Sequence, residues 1–207
     1  DLDVLKTALK TTLKKSPCPR YLDVGCGTGF HVAAIKRLYP RLEVVGVDFS
    51  RRMLEEAQKK TRELGVKLLH GNILNLVAKR KYGAISFFNN GLGNVWSCGI
   101  TPHKIRERAV RNMRILLRED GQLVVSVYNK GRLDISPYRG NFHLLPHGNI
   151  ERGDLFIKWT LRPDTTVEYY SHWFTVKELT ELLERNGFKV KFLEKRMARI
   201  VARAVAV

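Results

Sequence analysis

The chain has 207 residues, of which 44% are hydrophobic and 28% charged, and this composition is typical of one globular domain rather than two. We expect neither a membrane span nor a signal peptide, because no apolar run approaches the roughly 20 residues of a spanning helix and residues 1–15 carry charges throughout. The 37 basic residues outnumber the 20 acidic ones and give a net charge of +17. Because the basic residues are spread along the whole chain, we interpret most of them as lying on solvated helix faces rather than in a dedicated nucleic-acid site.

Helical and strand patterns alternate over residues 2–128. Leucines at helical spacing predict a helix over residues 2–15, and the apolar segment Arg20–Val24 predicts a buried strand that runs straight into glycines. The same patterns predict further strands at Leu42–Val47, Val66–Leu69, Tyr82–Phe88 and Gln122–Tyr128, and helices at His31–Leu38, after the N-cap Ser50 as far as Gly65, and from about His103 to Leu117. Regular alternation of this kind predicts right-handed crossovers and a mostly parallel sheet that helices cover on both faces.

The pattern changes in residues 129–172, which contain aromatics, prolines and histidines but no long helical period. Within this segment, Leu155–Leu161 and Thr166–Trp173 predict two strands joined at residues 162–164. We interpret the segment as an insertion that rises over the active edge of the sheet.

The chain ends with a predicted helix, Val176–Asn186, and two predicted strands, Lys189–Glu194 and Arg199–Val207, whose short link indicates an antiparallel pair. The whole pattern predicts an α/β fold with a doubly wound, mostly parallel, seven-stranded Rossmann-like sheet and an antiparallel terminal strand pair. We expect residues 1–207 to form a single domain, with the insertion at about 129–172 covering the substrate.

The most informative segment is Tyr21–Gly29, which reads YLDVGCGTG. A strand that ends in Gly-x-Gly-x-Gly lets the backbone approach a ligand closely, and the next helix presents free amides at its N-terminus. Dinucleotide-binding folds prefer Gly-x-Gly-x-x-Gly, and this sequence has no glycine at the last position. Asp23 would repel a pyrophosphate but can accept a hydrogen bond from an ammonium group. Asp48 follows at the end of the second strand, where a carboxylate can receive both hydroxyls of a ribose.

Two segments, LDVGCGTG at residues 22–29 and GVDFS at residues 46–50, resemble motif I and its successor in class I S-adenosylmethionine-dependent methyltransferases. The resemblance covers residues 20–128 well and extends over most of the chain. It implies S-adenosyl-L-methionine as the cofactor, with Asp23 approaching the methionine amino group and Asp48 holding the ribose hydroxyls. The residues that it assigns to the cofactor are Asp23, Gly25, Cys26, Gly27, Gly29, Asp48, Phe49, Met53, Asn72, Ile73, Asn89 and Asn90.

The chain departs from the family pattern at Asn72, where the family usually has an acidic residue beside the adenine. An amide can still accept a hydrogen bond from the exocyclic amine through its carbonyl oxygen. The fourth strand ends in FNNGLGN instead of the Asp/Asn-Pro-Pro-Tyr tetrapeptide, which counts against methylation of adenine in DNA. The run Gly93-Asn-Val with the later segment 108–113 resembles small-molecule N-methyltransferases such as those that act on glycine.

Methyl transfer from a sulfonium is an in-line displacement that needs alignment and, for a protonated nucleophile, a base. The catalytic candidates in and beside the insertion are Tyr128, His143 and His172, and for each of them packing is the competing interpretation. We expect no metal site, because the three cysteines show no Cys-x-x-Cys spacing and Pro146 lies between His143 and His147. The odd number and wide separation of the cysteines indicate a reducing, cytoplasmic setting.

The leading hypothesis is a cytoplasmic methyltransferase whose partner is a small or medium-sized methyl acceptor with a reactive nitrogen or oxygen. An RNA or tRNA methyltransferase is the alternative that the charge of +17 supports, and it predicts a contiguous basic surface beside the methyl-transfer pocket. A non-catalytic S-adenosylmethionine-binding subunit and a nicotinamide dehydrogenase are further alternatives, although the retained glycines and Asp48 argue against a structural relic. Neither the acceptor nor the oligomeric state follows from the sequence.

Overall fold

The computed structural model describes residues 1–15, 19–97, 100–132, 142–144, 153–162 and 165–207. Most of these residues form a seven-stranded sheet with helices on both faces, and a smaller three-stranded sheet lies beside it. The elements in chain order are α1 (Leu2–Lys15), β1 (Arg20–Val24), α2 (Phe30–Leu38), β2 (Glu43–Asp48), α3 (Arg51–Thr61), β3 (Lys67–His70), β4 (Tyr82–Phe87), α4 (Pro102–Leu116), β5 (Leu117–Tyr128), a 3-10 turn (Lys130–Arg132), β6 (Phe142–Leu144), β7 (Asp154–Arg162), β8 (Thr165–His172), α5 (Val176–Arg185), β9 (Phe188–Arg196) and β10 (Arg199–Ala206).

The large sheet has the strand order β3-β2-β1-β4-β5-β10-β9. The first five strands of this order are parallel, whereas β10 runs antiparallel to both of its neighbours. The chain builds outward from β1 in one direction and then crosses to β4 on the other side, so the strand order reverses between β1 and β4. Ligands of open α/β sheets bind at the carboxyl edge of such a reversal. The predicted doubly wound sheet and antiparallel terminal pair are confirmed.

Helices α1, α2 and α3 cover one face of the sheet, and α4 and α5 cover the other. The central strands are therefore buried on both sides, which explains why β4 is apolar over its length and not alternating. Met113 and Leu183 are fully buried on the α4 side, and Leu5 and Ile35 on the α1 side. None of the helices in the described part of the chain is long and apolar enough to cross a membrane.

The predicted N-cap Ser50 is confirmed, but two predicted boundaries are displaced by three residues or more. The Ser50 side chain accepts a hydrogen bond from the Met53 amide at 3.3 Å. Helix α3 ends at Thr61, before Gly65, and β5 begins at Leu117 although the sequence predicts a start near Gln122. The ladder between β4 and β5 is irregular here and Asp120 has a φ of 57°, so the chain bulges outward between two points of pairing.

The small sheet has the order β6-β7-β8 and is antiparallel throughout. Its β7–β8 pair confirms the two strands predicted in residues 129–172. Strand β8 is joined to the carboxyl edge of the large sheet, because the His172 amide donates to the Gly93 carbonyl and the Phe174 amide to the Tyr128 carbonyl, both at 2.8 Å. The small sheet is therefore fixed at the edge where β4 and β5 end.

A buried polar network ties the small sheet to helix α4. The Asp154 carboxylate accepts a hydrogen bond from His172 Nδ1 at 2.6 Å and one from the Tyr170 hydroxyl, and it lies 3.4 Å from Arg106 Nη1. Arg106 also donates to Tyr170, and all four side chains are buried. Burial of a cation and an anion is tolerated when each has close partners, as it has in this network.

Substitution of Asp154 by alanine is expected to destabilise the fold by about 3–5 kcal/mol, because it leaves the buried Arg106 charge without its carboxylate. Asp120→Asn is the matched control, since it breaks the exposed Lys15–Asp120 ion pair at 3.0 Å and is expected to cost less than about 1 kcal/mol. Urea denaturation of both variants measures the difference. Equal free energies of unfolding would contradict a stabilising role for the network.

Candidate functional site

The loop between β1 and α2 carries three glycines with positive φ angles: Gly25 at 63°, Gly27 at 53° and Gly29 at 79°. A Cβ at Gly29 would lie 2.9 Å from the Ala57 Cβ, so glycine is required there for helix α3 to pack. A Cβ at Gly27 would meet no atom within 4 Å, so this position faces open space. The loop therefore leaves a free volume directly in front of its backbone, at the reversal point of the sheet.

Asp48, the last residue of β2, is buried and held by two backbone amides. Its Oδ2 accepts a hydrogen bond from the Gly27 amide at 2.8 Å, and its Oδ1 accepts one from the Ser50 amide at 2.9 Å. An ionised carboxylate has about four acceptor positions, so each oxygen can accept one more hydrogen bond. Asp48 thus fixes the loop and still offers acceptors to a diol.

Asp23 lies at the base of the same loop and is fully buried. Its Oδ1 accepts a hydrogen bond from the Ser86 hydroxyl, which is 2.6 Å from the Tyr21 hydroxyl. Its Oδ2 is buried with no hydrogen-bond partner among the described residues. Burial raises the pKa of Asp23 to about 7, against the opposing effect of the Ser86 and Tyr21 hydrogen bonds. An unpartnered buried carboxylate oxygen is costly unless a ligand donates to it.

Beside the loop, two large apolar side chains are exposed: Phe49 at 77% and Met53 at 44%. Phe49 lines an open depression together with Gly71 and Asn72. The Asn72 Oδ1 accepts a hydrogen bond from the Leu74 amide at 3.0 Å, so this oxygen is already engaged in a local turn. Ile73 is buried against the core on the α4 side. The exposed apolar surface suits one face of a planar ring.

The segment after β4 contains two residues in the left-handed conformation, Asn89 with a φ of 54° and Asn90 with a φ of 60°. Such a conformation is unfavourable for residues other than glycine and often marks a functional edge. Ser126 of β5 holds the turn, because its hydroxyl accepts from the Asn89 amide at 3.1 Å and its carbonyl from the Asn90 amide at 3.0 Å.

Asn89 and Asn90 differ in what their side chains can do. Asn90 is buried, donates to Ser171 at 3.0 Å and to Asn94 at 3.1 Å, and accepts from the Tyr128 amide at 3.0 Å. Its side chain is therefore committed to joining the ends of β5 and β8 to this turn. Asn89 is exposed and directed to the edge, where it meets Arg199.

Of the three catalytic candidates, Tyr128 lies at this edge, with its ring centroid 5.0 Å from that of Trp173. His172, at the end of β8, is buried in the Asp154 network and lines a depression with Glu178 between α4 and α5. His143 belongs to β6, and its side chain is outside the described part. No three side chains capable of holding a metal ion cluster among the described residues.

Cys26 is buried, and burial raises the pKa of its thiol. The other two cysteines, Cys18 and Cys98, lie outside the described residues.

Sequence reasoning missed the residues that hold the loop in place. Ser86 fixes Asp23 and Ser126 fixes the Asn89 turn, and both serines lie in strands whose other residues are mostly apolar. A single serine within YGAISFF or LVVSVY is the signal that points to them. The partners of Asp154 have no comparable local signal, because Arg106 is 48 residues away in the chain.

Replacing Asp23 by asparagine is expected to change how stability depends on pH. The pKa of Asp23 rises from 3.8 to about 7 on folding, so the stability that its protonation contributes is present below pH 3.8 and is lost as the pH rises through 7. Between pH 5 and 8, the unfolding free energy of wild type should fall relative to Asp23→Asn by about 2–3 kcal/mol. Denaturation of the cofactor-free protein at several pH values checks this, with exposed Asp3→Asn as the control. Parallel curves would contradict it.

Residues 22–121, just under half of the chain, match the family model for a methyltransferase domain. A segment of 64 residues, which is 31% of the chain, aligns with the malonyl-[acyl-carrier protein] O-methyltransferase of Priestia megaterium at 38% identity and covers 23% of that protein. A segment of 57 residues, which is 27% of the chain, aligns with the demethylmenaquinone methyltransferase of Staphylococcus aureus at 47% identity and covers 24% of that protein. The chain thus matches about a quarter of the length of these curated relatives.

The fold is similar over nearly the whole chain to a solved methyltransferase. In the S-adenosylmethionine-bound amino pentose methyltransferase of Micromonospora echinaspora, 90% of the chain superimposes on 99% of this one, with a TM-score of 0.69 and 18% identity. The matched segment holds the glycine loop and Asp48, and the strand order places both at the reversal point of the sheet. The chain thus contains a segment that matches a methyltransferase domain, on a fold similar to that of a solved S-adenosylmethionine-bound methyltransferase.

Proposed function

We propose that this protein transfers a methyl group from S-adenosylmethionine to a small or medium-sized acceptor with a reactive nitrogen or oxygen. The observation that carries the proposal is the open space in front of Gly27, bounded by the held carboxylate of Asp48 and the unpartnered Oδ2 of Asp23. A loop selected only for stability would gain nothing from an unpaired buried oxygen beside an open backbone.

The residues present fit this cofactor. The second acceptor positions of Asp48 suit the two ribose hydroxyls, and Asp23 suits the ammonium of the methionine part, directly or through water. An ammonium beside Asp23 also favours its ionised form, which opposes the effect of burial on its pKa. Phe49 and Met53 offer apolar surface for the adenine, with Asn72 at the rim through its remaining polar atoms.

When bound, the cofactor supplies a methyl group on a sulfonium, which is a good leaving group. The chain then has to align the acceptor and exclude water, and both tasks fall to the edge after β4 and β5. Asn89 presents an exposed amide there, and Tyr128 and Trp173 form an aromatic wall beside it. The Tyr128 hydroxyl is the group that we assign to orienting the acceptor or receiving its proton. The small sheet β6-β7-β8 is the element that we expect to cover the acceptor.

The choice of a small or medium-sized acceptor is supported by the names of a demethylmenaquinone methyltransferase and an amino pentose methyltransferase. A third relative is named for a malonyl group carried on the acyl-carrier protein. The charge of +17 favours RNA as the alternative acceptor. Exposed basic side chains lie on both helical layers, for example Lys59 on α3 and Arg111 on α4, which is not the single basic face of most nucleic-acid binders. The buried free thiol of Cys26 is compatible with the reducing cytoplasm that we propose as its location.

Gly27→Ala is expected to weaken S-adenosylmethionine binding at least tenfold, because its Cβ would occupy the space that the proposal assigns to the cofactor. Gly65→Ala is a matched control: Gly65 also has a positive φ, 67°, and no atom within 4 Å of a Cβ. Both changes should cost about 1 kcal/mol or more of backbone strain. Isothermal titration measures the affinity of each variant. The proposal would be contradicted if Gly27→Ala and Gly65→Ala bound the cofactor with equal affinity, or if wild type did not bind it at millimolar concentration.

Incubation with methyl-labelled S-adenosylmethionine and a cell extract is expected to place the label in the small-molecule fraction. Label in RNA would overturn the proposed acceptor class while leaving the cofactor assignment intact. Once an acceptor is isolated, Tyr128→Phe should lower kcat by about tenfold or more with unchanged cofactor affinity, as loss of a proton-handling or orienting hydroxyl does. Tyr39→Phe, at the far end of α2, is the control.

A further inference from the structure

Arg199, the first residue of β10, reaches the edge at which the acceptor is expected to bind. It pairs directly with Tyr128 of β5, so the two side chains project from the same face of the sheet. Its Nη1 donates a hydrogen bond to Asn89 Oδ1 at 3.2 Å. The guanidinium thus lies next to the turn that follows β4, and 45% of the side chain is exposed.

The hydrogen-bonding capacity of this guanidinium is largely unused. Its two contacts, to Asn89 and to Asp1 Oδ2 at 3.4 Å, are both made by Nη1. Its Nε and Nη2 make no hydrogen bond to any residue that the structure describes. A guanidinium carries five N–H donors in a planar fork that matches the two oxygens of a carboxylate or phosphate. The open side of the fork is therefore available to an incoming oxyanion.

The surroundings favour an anion attached to an apolar or planar body. Tyr128 and Trp173 form the adjacent aromatic wall, and the Trp173 Nε1 is buried without a hydrogen-bond partner in the described part of the chain. The His31 ring packs 4.8 Å from Phe88, which directly precedes Asn89. Among the residues that the structure describes, Asp1 is the one acidic side chain that forms an ion pair with Arg199, and the net charge of +17 attracts anions to the whole surface.

We propose that Arg199 is a specificity-determining residue that binds an oxyanion of the methyl acceptor, a carboxylate or a phosphate, and so orients the acceptor against the edge at Asn89. This inference rests on the proposed function, and it narrows the acceptor class from any small molecule to an acidic one. The competing interpretation is structural: Arg199 only steadies Asn89 in its left-handed conformation.

The test uses the protein saturated with S-adenosylhomocysteine, which occupies the cofactor site without turnover. Benzoate, phenyl phosphate and the neutral benzamide are titrated at constant ionic strength by calorimetry. At least one anion should bind tenfold or more tightly than benzamide, and the anion preferred identifies carboxylate or phosphate as the natural group. Arg199→Ala should abolish the preference, and Arg199→Lys should retain part of it, because an ammonium keeps the charge but not the fork.

Arg37→Ala is the matched control, since Arg37 is an exposed arginine on α2 and its loss lowers the net charge equally. It should leave both the anion preference and the S-adenosylhomocysteine affinity unchanged. Asp1→Asn should tighten anion binding, because it removes the competing carboxylate. Equal binding of benzamide and both anions by wild type, or a preference that survives Arg199→Ala, would overturn the inference.

A purely structural Arg199 would lower the melting temperature of Arg199→Ala without any prior anion preference in wild type. Should Arg199→Ala fail to fold, the comparison of wild type with Arg199→Lys and Asp1→Asn still decides the matter. Failure of S-adenosylhomocysteine to bind wild type would refute the proposed function itself, whereas normal binding of it without anion discrimination refutes only the role of Arg199.

Discussion

The candidate site depends on the hydrogen bond from the Gly27 amide to the Asp48 carboxylate, which is 2.8 Å long and partly buried at the carboxyl edge of the sheet. It joins the loop after β1 to the end of β2, so the positions of two strands determine the shape of one loop. The second oxygen of Asp48 is held by the Ser50 amide, and Ser50 in turn caps α3. Strand, loop and helix are thus fixed by a single side chain, which is the kind of preorganisation that a binding site requires.

A second set of polar contacts fixes the other half of the edge. Ser126 holds the Asn89 turn from β5, and Asn90 holds Ser171 of β8 and the Tyr128 amide. These contacts are directional and at least partly buried, so they specify the distance between the large and the small sheet more closely than apolar packing does. The energy stored in two left-handed asparagines is offset by this network.

Much of the fold was predictable because it follows from local sequence patterns. The alternation of apolar strands and amphipathic helices predicted the order of the elements, and Gly29 and Asp48 marked the position of the cofactor loop. The start of β5 could not be predicted, because the bulge at Asp120 depends on how residues 117–122 pair with β4. That pairing is not visible in the sequence of these residues alone. In the candidate site, the loop glycines and Asp48 could be recognised from their motif. Ser86, Asp154 and Arg199 could not, because each of them acts through a partner that is distant in the chain. His172 illustrates the limit: a histidine in a polar segment suggests a catalytic role, and only the structure shows that its side chain is hydrogen-bonded to Asp154.

The reversed direction of β10 has a consequence for how such a protein can diversify. Every parallel strand brings its last residue to the carboxyl edge, but β10 brings its first, Arg199, and so adds to the edge a position that lies 71 residues after Tyr128 in the chain. The segment that matches the methyltransferase family ends at residue 121. Under the proposed function, substitutions beyond it, in β8 and at the start of β10, are expected to alter which acceptor binds without disturbing the Gly27–Asp48 bond. Part of the acceptor site would then be encoded apart from the glycine loop, in a segment that can vary while the loop is held constant.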